Sequence, residues 1–383
     1  MEKIYKQIIK GIFLDRPNRF ICHALVDGRK VICHMPNPGR MREFLYPGVT
    51  LFLTPNRPGL RTAFRAVGVE KGEQKDIFYL DTTRANDVAA YLVQHRRIPG
   101  WEHCFLAARE VTMGDSRFDL LLCDEITGET FPVEVKSCSF SGEKGAMFPD
   151  APTLRGSKHL AHLIGMSEKG ERAGLLILVH YSKAEWFLPN FHGDPSFAAY
   201  FRKGMDSLEW KTVVLSWTPD FVMPESVRLI GSSARALDDE MGNHGDYMIV
   251  LYVSEDRDVE TGSLGIIHYP QGYYVYVGSA KKNLEQRIAQ HRAVRKRKHW
   301  HLDYLREKSS FIGAVPIRTA EDLECRLAQR ISMIADWKIE RFGSSDCRCE
   351  SHLFGFRENP LHLPSFLKVE EDFEINRLQK YFS

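Results

Sequence analysis

A chain of 383 residues is too long for one ordinary small domain and points to two or three. With 43% hydrophobic and 27% charged residues, its composition is that of a globular protein and excludes a disordered one. The net charge of +2 requires any nucleic-acid surface to come from local clustering, and no apolar run approaches the roughly 20 residues that span a bilayer.

The opening "MEKIYKQIIKGIFLD" scatters charge through its apolar positions and has no small-residue cleavage site, so it does not read as a signal peptide. Eight cysteines are too sparse and uneven for a disulfide framework, which predicts a reducing, cytoplasmic setting with no membrane partner. Residues 1–82 read as short strands broken by turns: two β-rich runs flank Asp27-Gly28 in "RFICHALVDGRKVICHM", and "VTLFLTP" and "RTAFRAVGVE" follow. This pattern predicts a small OB-like β-barrel. In "RANDVAAYLVQHRRI" the period turns helical, with Val88, Leu92 and Val93 on one side. Strands at "FLAAREVTM", "RFDLLLCD" and "TFPVEVKS", a helix at "LRGSKHLAHLIGMSEKG" and a buried strand at "AGLLILVHY" then predict an α/β domain over 83–230. The small, polar, acidic stretch 231–244 reads as a linker. A second α/β domain is expected over 245–358, with strands at "YMIVLYV" and "YYVYVGSA", and a C-terminal tail over 359–383. The fold class expected is thus a multidomain mixture of α/β and α+β.

The strand in "GETFPVEVKSCSF" puts Phe131, Val133 and Val135 on one face and Glu134 and Lys136 on the other. A solvated surface pair there would be worth at most about 1 kcal/mol. Asp119 interrupts "RFDLLL" in the same way, and a hairpin turning near Thr127-Gly128 would bring it within reach of Glu134. Two carboxylates suit Mg²⁺, and a lysine on the same face could orient or deprotonate an attacking water. Such groups cost stability in an apolar sheet unless they serve a function.

An Asp, a hairpin and then Glu-x-Lys resembles the metal site of the PD-(D/E)xK nuclease superfamily. "SRFDLLL", "VEVKSCSF", "FPDAPTLRGSKHL" and "AGLLILVHYS" together resemble the sugar fermentation stimulation protein A family, over residues 10–220 or so. The resemblance implies an OB-like barrel, a nuclease-like α/β domain and DNA binding. It implies Asp119 and Glu134 as ligands of Mg²⁺ or Mn²⁺, Lys136 as the catalytic lysine and Glu110 as a further acidic member. Arg155, Lys158 and His159 on the next helix would face phosphate, or else form a solvated helix face. "HMPNPGRM" departs from that family's pattern at Pro38 and Arg40.

Further on, "YVYVGSAKKNLEQRIAQH" runs from an aromatic strand through a Gly-Ser turn into a helix carrying Arg287 and His291 at i, i+4. From Gln286 to Leu302 there is no acidic residue, while Arg292, Arg295, Lys296, Arg297 and Lys298 form a basic stripe. That is the electrostatic footprint of a polyanion site, or a solvated charged helix. The stretch resembles the GIY-YIG nuclease fold over residues 243–357 or so, and "KHWHLDYL" and "FGSSDCRCESHLF" resemble a narrower, mostly archaeal uncharacterised family. Carried over, Tyr247 and Tyr276 are the paired tyrosines that handle the nucleophilic water. Arg287 stabilises developing phosphorane charge, His291 fills a Tyr/His position and Glu324 holds one divalent metal. The gap between Tyr247 and Tyr276 is longer than is usual there.

Cys347, Cys349 and His352 form a Cys-x-Cys-x-x-His run that could hold Zn²⁺, with Cys325 or Asp346 as fourth ligand. The same run could be two partly buried thiols in a turn capped by a histidine. Three functions are therefore in view. The first is a two-module enzyme cutting DNA or RNA, with DNA the more expected partner, using Mg²⁺ or Mn²⁺. The others are a DNA-binding regulator on inactive nuclease-like folds and an assembly protein with a zinc-stabilised contact.

Overall fold

The computed structural model describes residues 4–72 and 75–382; residues 1–3, the first of the stretch read against a signal peptide, lie outside it, as do 73–74 and 383. The Asp27-Gly28 signal folds as expected, with φ of 49° and 73°, the left-handed geometry that a two-residue hairpin turn requires. It joins β2 (Ile21–Val26) to β3 (Arg29–His34). These pack with β1 (Ile9–Asn18), β4 (Thr50–Pro55), β5 (Phe64–Lys71) and β6 (Asp76–Tyr79). The strand order is β3-β2-β1-β4-β5-β6, and a parallel pairing of β3 with β5 closes five of the six strands into an OB-like barrel. Closure satisfies the edge strands that an open small sheet would expose.

After α1 (Ala85–Gln94) come β7 (Cys104–Met113), β8 (Ser116–Asp124), β9 (Thr130–Cys138), β10 (Phe140–Ser141), β11 (Gly145–Phe148) and α2 (Leu154–Ser167). They continue into β12 (Gly174–Val179), β13 (Trp186–Pro189), α3 (Pro195–Gly204), β14 (Glu209–Ser216) and β15 (Ser226–Ile230). The main sheet has the order β15-β14-β12-β9-β8-β7, parallel through β9, β12 and β14 and antiparallel elsewhere. All six residues of β12 are buried, which explains its unbroken apolar sequence: a central parallel strand is covered on both faces. Val88, Leu92 and Val93 of α1 pack with Leu120, Leu122, Val133 and Leu176 into one core. The α2 helix lies against β8 and β12.

Residues Met1–Leu237 form one unit with Leu378–Ser383, and Asp238–Arg377 form a second. In the second, β16 (Gly245–Val253), β19 (Gly272–Ala280), β20 (Ser310–Arg318), β21 (Trp337–Lys338) and β22 (Leu353–Phe356) make a sheet of order β20-β16-β19-β22-β21. Tyr247, Ile249 and Leu251 pack with Leu284 of α5 (Leu284–Arg292) and Leu302 and Leu305 of α6 (His301–Arg306). Met248 and Val250 alternate to the other face, against Leu327 and Ile331 of α7 (Glu324–Ser332) and Phe366, Val369 and Phe373 of α8 (Pro364–Glu374). A hairpin of β17 (Arg257–Glu260) and β18 (Ile266–Tyr269) is inserted between β16 and β19. The mixed α/β multidomain class expected from sequence is thus what the chain adopts.

Two stretches differ from expectation. The stretch read as a linker carries the short helix α4 (Ala234–Glu240), with Ala236 and Leu237 buried; two apolar side chains suffice to anchor it without a longer period. The stretch read as a tail is instead anchored by Phe366, Val369 and Phe373 in the core of the second unit. Phe373→Ala is therefore expected to cost roughly 3–5 kcal/mol in thermal or chemical denaturation. A stability indistinguishable from wild type would mean that the helix is a loose appendage.

Candidate functional site

The antiparallel ladder of β8 and β9 runs from Cys123↔Thr130 to Leu120↔Val133. Asp119 and Glu134 are the next step of that register, and here a side chain replaces the backbone ladder. Asp119 Oδ2 accepts from the Val135 amide at 2.8 Å, and its Oδ1 accepts from Asn86 Nδ2 of α1 at 2.7 Å. On its other side β9 aligns Glu134 with Leu175 and Lys136 with Ile177 of β12, so both charged groups are set among apolar neighbours. Glu134 is 3% exposed, which rules out a solvated surface pair. Its Oε1 takes Lys136 Nζ at 2.5 Å and His159 Nδ1 at 2.6 Å. Its Oε2 is buried with no hydrogen-bond partner among the described residues. Burial first, and the nearby Glu134 charge second, push the Asp119 carboxyl above its ordinary range.

The helix after this strand divides its basic residues. Arg155 and Lys158 are exposed, whereas His159, expected beside them, is buried against Glu134 because the α-helical period turns it inward. Thr153 caps the helix by accepting from Gly156 N at 3.0 Å. Glu110 is not part of the cluster: it is exposed at a positive φ of 56° and pairs with Arg117. Sequence reasoning missed Asn86, which reaches Asp119 across 33 positions and carries no local signal.

In the second unit, the β17–β18 insertion accounts for the long gap between the two tyrosines. The register of β16 with β19 pairs Tyr247 with Gly278 and Ile249 with Tyr276, leaving the tyrosine rings 6.4 Å apart. A Cβ on Gly278 would stand 2.7 Å from Tyr247 Oη and 2.9 Å from Tyr276 Cε1, so only glycine fits. Tyr247 Oη and His291 Nε2 lie 2.9 Å apart. Burial, helped by Lys296, lowers His291 to about 4 and keeps it neutral, so its Nε2 can accept a hydrogen bond from the phenol. Burial also raises both phenols well above their ordinary range, with Arg287 pulling the other way. Arg287 lies over the Trp300 ring at 4.5 Å. Glu324, in the first turn of α7, accepts from Ser279 Oγ at 2.7 Å with Oε2, and its Oε1 lies 3.3 Å from His352 Nδ1. Asp246, on β16, is raised to about 7, chiefly by burial and secondarily by Glu324, while the Leu323 amide opposes the rise.

The basic stripe is less uniform than its sequence. The α5 helix ends at Arg292, and positions 295–298 are loop rather than helix. Lys296 folds back on Asp303 at 2.5 Å, and Lys298 pairs with Glu307 at 3.0 Å. Asp303 would be raised by its burial, but Lys296 and the Trp300 and His299 amides hold it below its ordinary range. Arg292, Arg295 and Arg297 remain exposed. The structure also brings Cys347, Cys349 and His352 together with Cys325, all four potential ligand atoms within 4.8 Å of one another, a group that does not include Asp346.

A closed five-stranded barrel joined to a mixed six-stranded sheet with a buried carboxylate cluster defines an OB-plus-α/β protein, here with a second α/β unit. Residues 14–77 match the SfsA N-terminal OB domain, 83–219 the sugar fermentation stimulation protein RE domain, and 246–374 domain of unknown function DUF123. A sugar fermentation stimulation protein homolog of Clostridium botulinum (strain Loch Maree / Type A3) is 33% identical over 232 residues, 59% of this chain and all of that one. Another from strain Alaska E43 / Type E3 is 37% identical over 196 residues, 51% of this chain and 84% of its own. The structure of Pyrococcus furiosus SfsA in complex with Ca²⁺ aligns with a TM-score of 0.54 and 26% identity, covering 61% of this chain and 99% of that one. The chain belongs to the sugar fermentation stimulation protein family.

Asp246 makes a pH signature. Its folded pKa lies above the ordinary carboxylate value of 3.8, so the folded state binds the extra proton. The stability it contributes is complete below that value and is lost as pH rises towards about 7. Denaturation of the metal-free protein is expected to show this decline in the second unit, and Asp246→Asn to flatten it; an unchanged pH profile in the variant would contradict the placement. Gly278→Ala should destabilise the same unit by about 1–3 kcal/mol through overpacking, read as a lowered melting temperature.

Proposed function

We propose that this protein is a divalent-metal-dependent phosphodiesterase acting on nucleic acid, with its chemistry at Asp119, Glu134 and Lys136. The observation that carries the reading is the buried, unpartnered Oε2 of Glu134 next to Asp119. A carboxylate oxygen sealed from water without a partner costs roughly 1–3 kcal/mol, which a hard cation on it would remove. Asp119 and Glu134 would hold Mg²⁺ or Mn²⁺. Once bound, such an ion polarises a phosphoryl oxygen and makes a water acidic enough to attack. The Ca²⁺ complex named for the Pyrococcus furiosus relative supports a cation in this fold.

The chain's own groups do the positioning. Lys136 neutralises Glu134 Oε1 and places an ammonium where an attacking water or a phosphoryl oxygen would need a hydrogen-bond donor. His159 fixes the orientation of the same oxygen from α2, and Asn86 does so for Asp119 from α1. Arg155 and Lys158, exposed on that α2 helix, supply phosphate contacts outside the metal site. The likeness to PD-(D/E)xK nucleases supports these roles, and DNA is the preferred substrate.

The second unit is assigned to gripping the backbone. Tyr247 is buried, its hydroxyl is engaged by His291, and both phenols are held protonated, so neither is set to activate a water at neutral pH. Arg287 and the exposed Arg292, Arg295 and Arg297 give it a cationic face that resembles the GIY-YIG arrangement.

Cleavage of labelled single-stranded, duplex and branched DNA and RNA with Mg²⁺, Mn²⁺ or EDTA tests the assignment. Glu134→Gln is expected to lose at least about a hundredfold in rate while still binding, and Glu324→Gln to keep most of the rate. Retained cutting in Glu134→Gln would remove the assignment, and cutting lost only in Glu324→Gln would move it to the other unit. Replacing Arg292, Arg295 and Arg297 by Gln should lower the slope of log affinity against log salt by about 2–3, at about 0.9 per phosphate lost. An unchanged slope would show that these arginines face solvent.

A further inference from the structure

We propose that Cys325, Cys347, Cys349 and His352 form a Zn²⁺ centre whose histidine also positions Glu324. Both the zinc centre and its link to Glu324 stand on geometry.

The ligands come from two separate pieces of chain. Cys325 lies in the first turn of α7, while Cys347 and Cys349 lie in the loop that leads into His352 at the edge of β22. Their ligand atoms converge within 4.8 Å. Bonds of about 2.3 Å to a tetrahedral ion put sulfurs roughly 3.8 Å apart, so a small contraction completes the shell. Hydrophobic packing does not explain the convergence, because Cys325 is exposed and Cys347 and Cys349 are only half-buried. None of the three is in a disulfide. The grouping of His103, Cys104 and Asp124 is different in kind, because Arg172 already occupies Asp124 Oδ2 at 2.7 Å.

His352 is the link. It is 1% exposed, with Nε2 3.3 Å from Cys347 Sγ and Nδ1 3.3 Å from Glu324 Oε1. Nδ1 makes no hydrogen bond of good geometry among the described residues. Zinc on Nε2 obliges the ring proton to sit on Nδ1, where it points at the carboxylate. The 3.3 Å contact then becomes a charge-assisted hydrogen bond, and Glu324 is held between His352 and Ser279. Cys325 adjoins Glu324 in α7, so the ion also fixes the helix start that carries the glutamate. Loading of this centre therefore sets the geometry of the neighbouring site. Glu324 is a positioning partner of the zinc centre, and His352 a ligand.

The test uses the full-length protein. Elemental analysis is expected to give one zinc per chain, and X-ray absorption at the zinc edge a first shell of three sulfurs and one nitrogen. Cobalt substitution should give the visible bands of a tetrahedral thiolate site. Cys325→Ser should weaken retention of the metal against a chelator, whereas Asp346→Asn should not. Glu324→Gln is expected to keep the stoichiometry and the three-sulfur, one-nitrogen shell but lose about 10–100-fold in zinc affinity, as outer-shell substitutions do. Chains isolated without zinc that also fail to take up cobalt would overturn the centre. Full retention in Cys325→Ser would overturn its ligand set. An unaltered affinity in Glu324→Gln would overturn the link to the neighbouring site.

Discussion

Burying one carboxylate in an apolar sheet sets the conditions for the rest of the first unit. Glu134 sits between β8 and the wholly apolar β12, where an unpaired negative charge is untenable. One oxygen is answered by Lys136 from the same strand and by His159 from α2. That second contact requires α2 to lie against β8 and β12, and a Thr153 cap fixes where the helix starts. On the neighbouring strand Asp119 cannot join the regular ladder; its carboxylate takes the Val135 amide instead, and α1 supplies Asn86. Both helices thus serve the carboxylates as well as the core. Within this cluster the remaining Glu134 oxygen is the group left without a partner among the described residues, and a buried unsatisfied carboxylate oxygen calls for a physical explanation.

The second unit solves a related problem with neutral groups. Two buried phenols meet across a glycine that admits no side chain, and a buried neutral imidazole accepts from one of them. The charged groups around them are each engaged: Arg287 over Trp300, Glu324 between Ser279 and His352, and the buried Asp303 by Lys296. The contrast in protonation separates the two sites chemically. One holds two adjacent carboxylates with an oxygen left without a partner among the described residues, while the other holds phenols that keep their protons.

How much of this could be seen in the sequence depends on the range of the interaction. Glu134 and Lys136 were legible because a period of two places them on one face whatever else the chain does. The barrel was legible from turn chemistry at Asp27-Gly28, and the strand at β16 from its apolar run, although that run did not reveal that both of its faces would be covered. The inward turn of His159 was not legible, since basic residues at 155, 158 and 159 look alike until a packing direction is known. Lys296 was misread for a similar reason: the basic run gave no hint that Asp303, just beyond its acid-free window, would draw it inward. Asn86 and Cys325 join their clusters through tertiary contacts, which leave at most a lone polar or sulfur side chain in the sequence. The helix over Pro364–Glu374 was read as tail because the acidic run Glu370-Glu371-Asp372 between Val369 and Phe373 masks its apolar period.

The most direct measurement is crystallographic: anomalous diffraction from crystals of the protein soaked in Mn²⁺, recorded at the manganese edge. The account requires a peak bonded to Glu134 Oε2 and to an oxygen of Asp119, lost in Glu134→Gln crystals. Ordered Mn²⁺ only elsewhere, with Glu134 Oε2 still unpaired, would contradict the assignment of this cluster as the metal site.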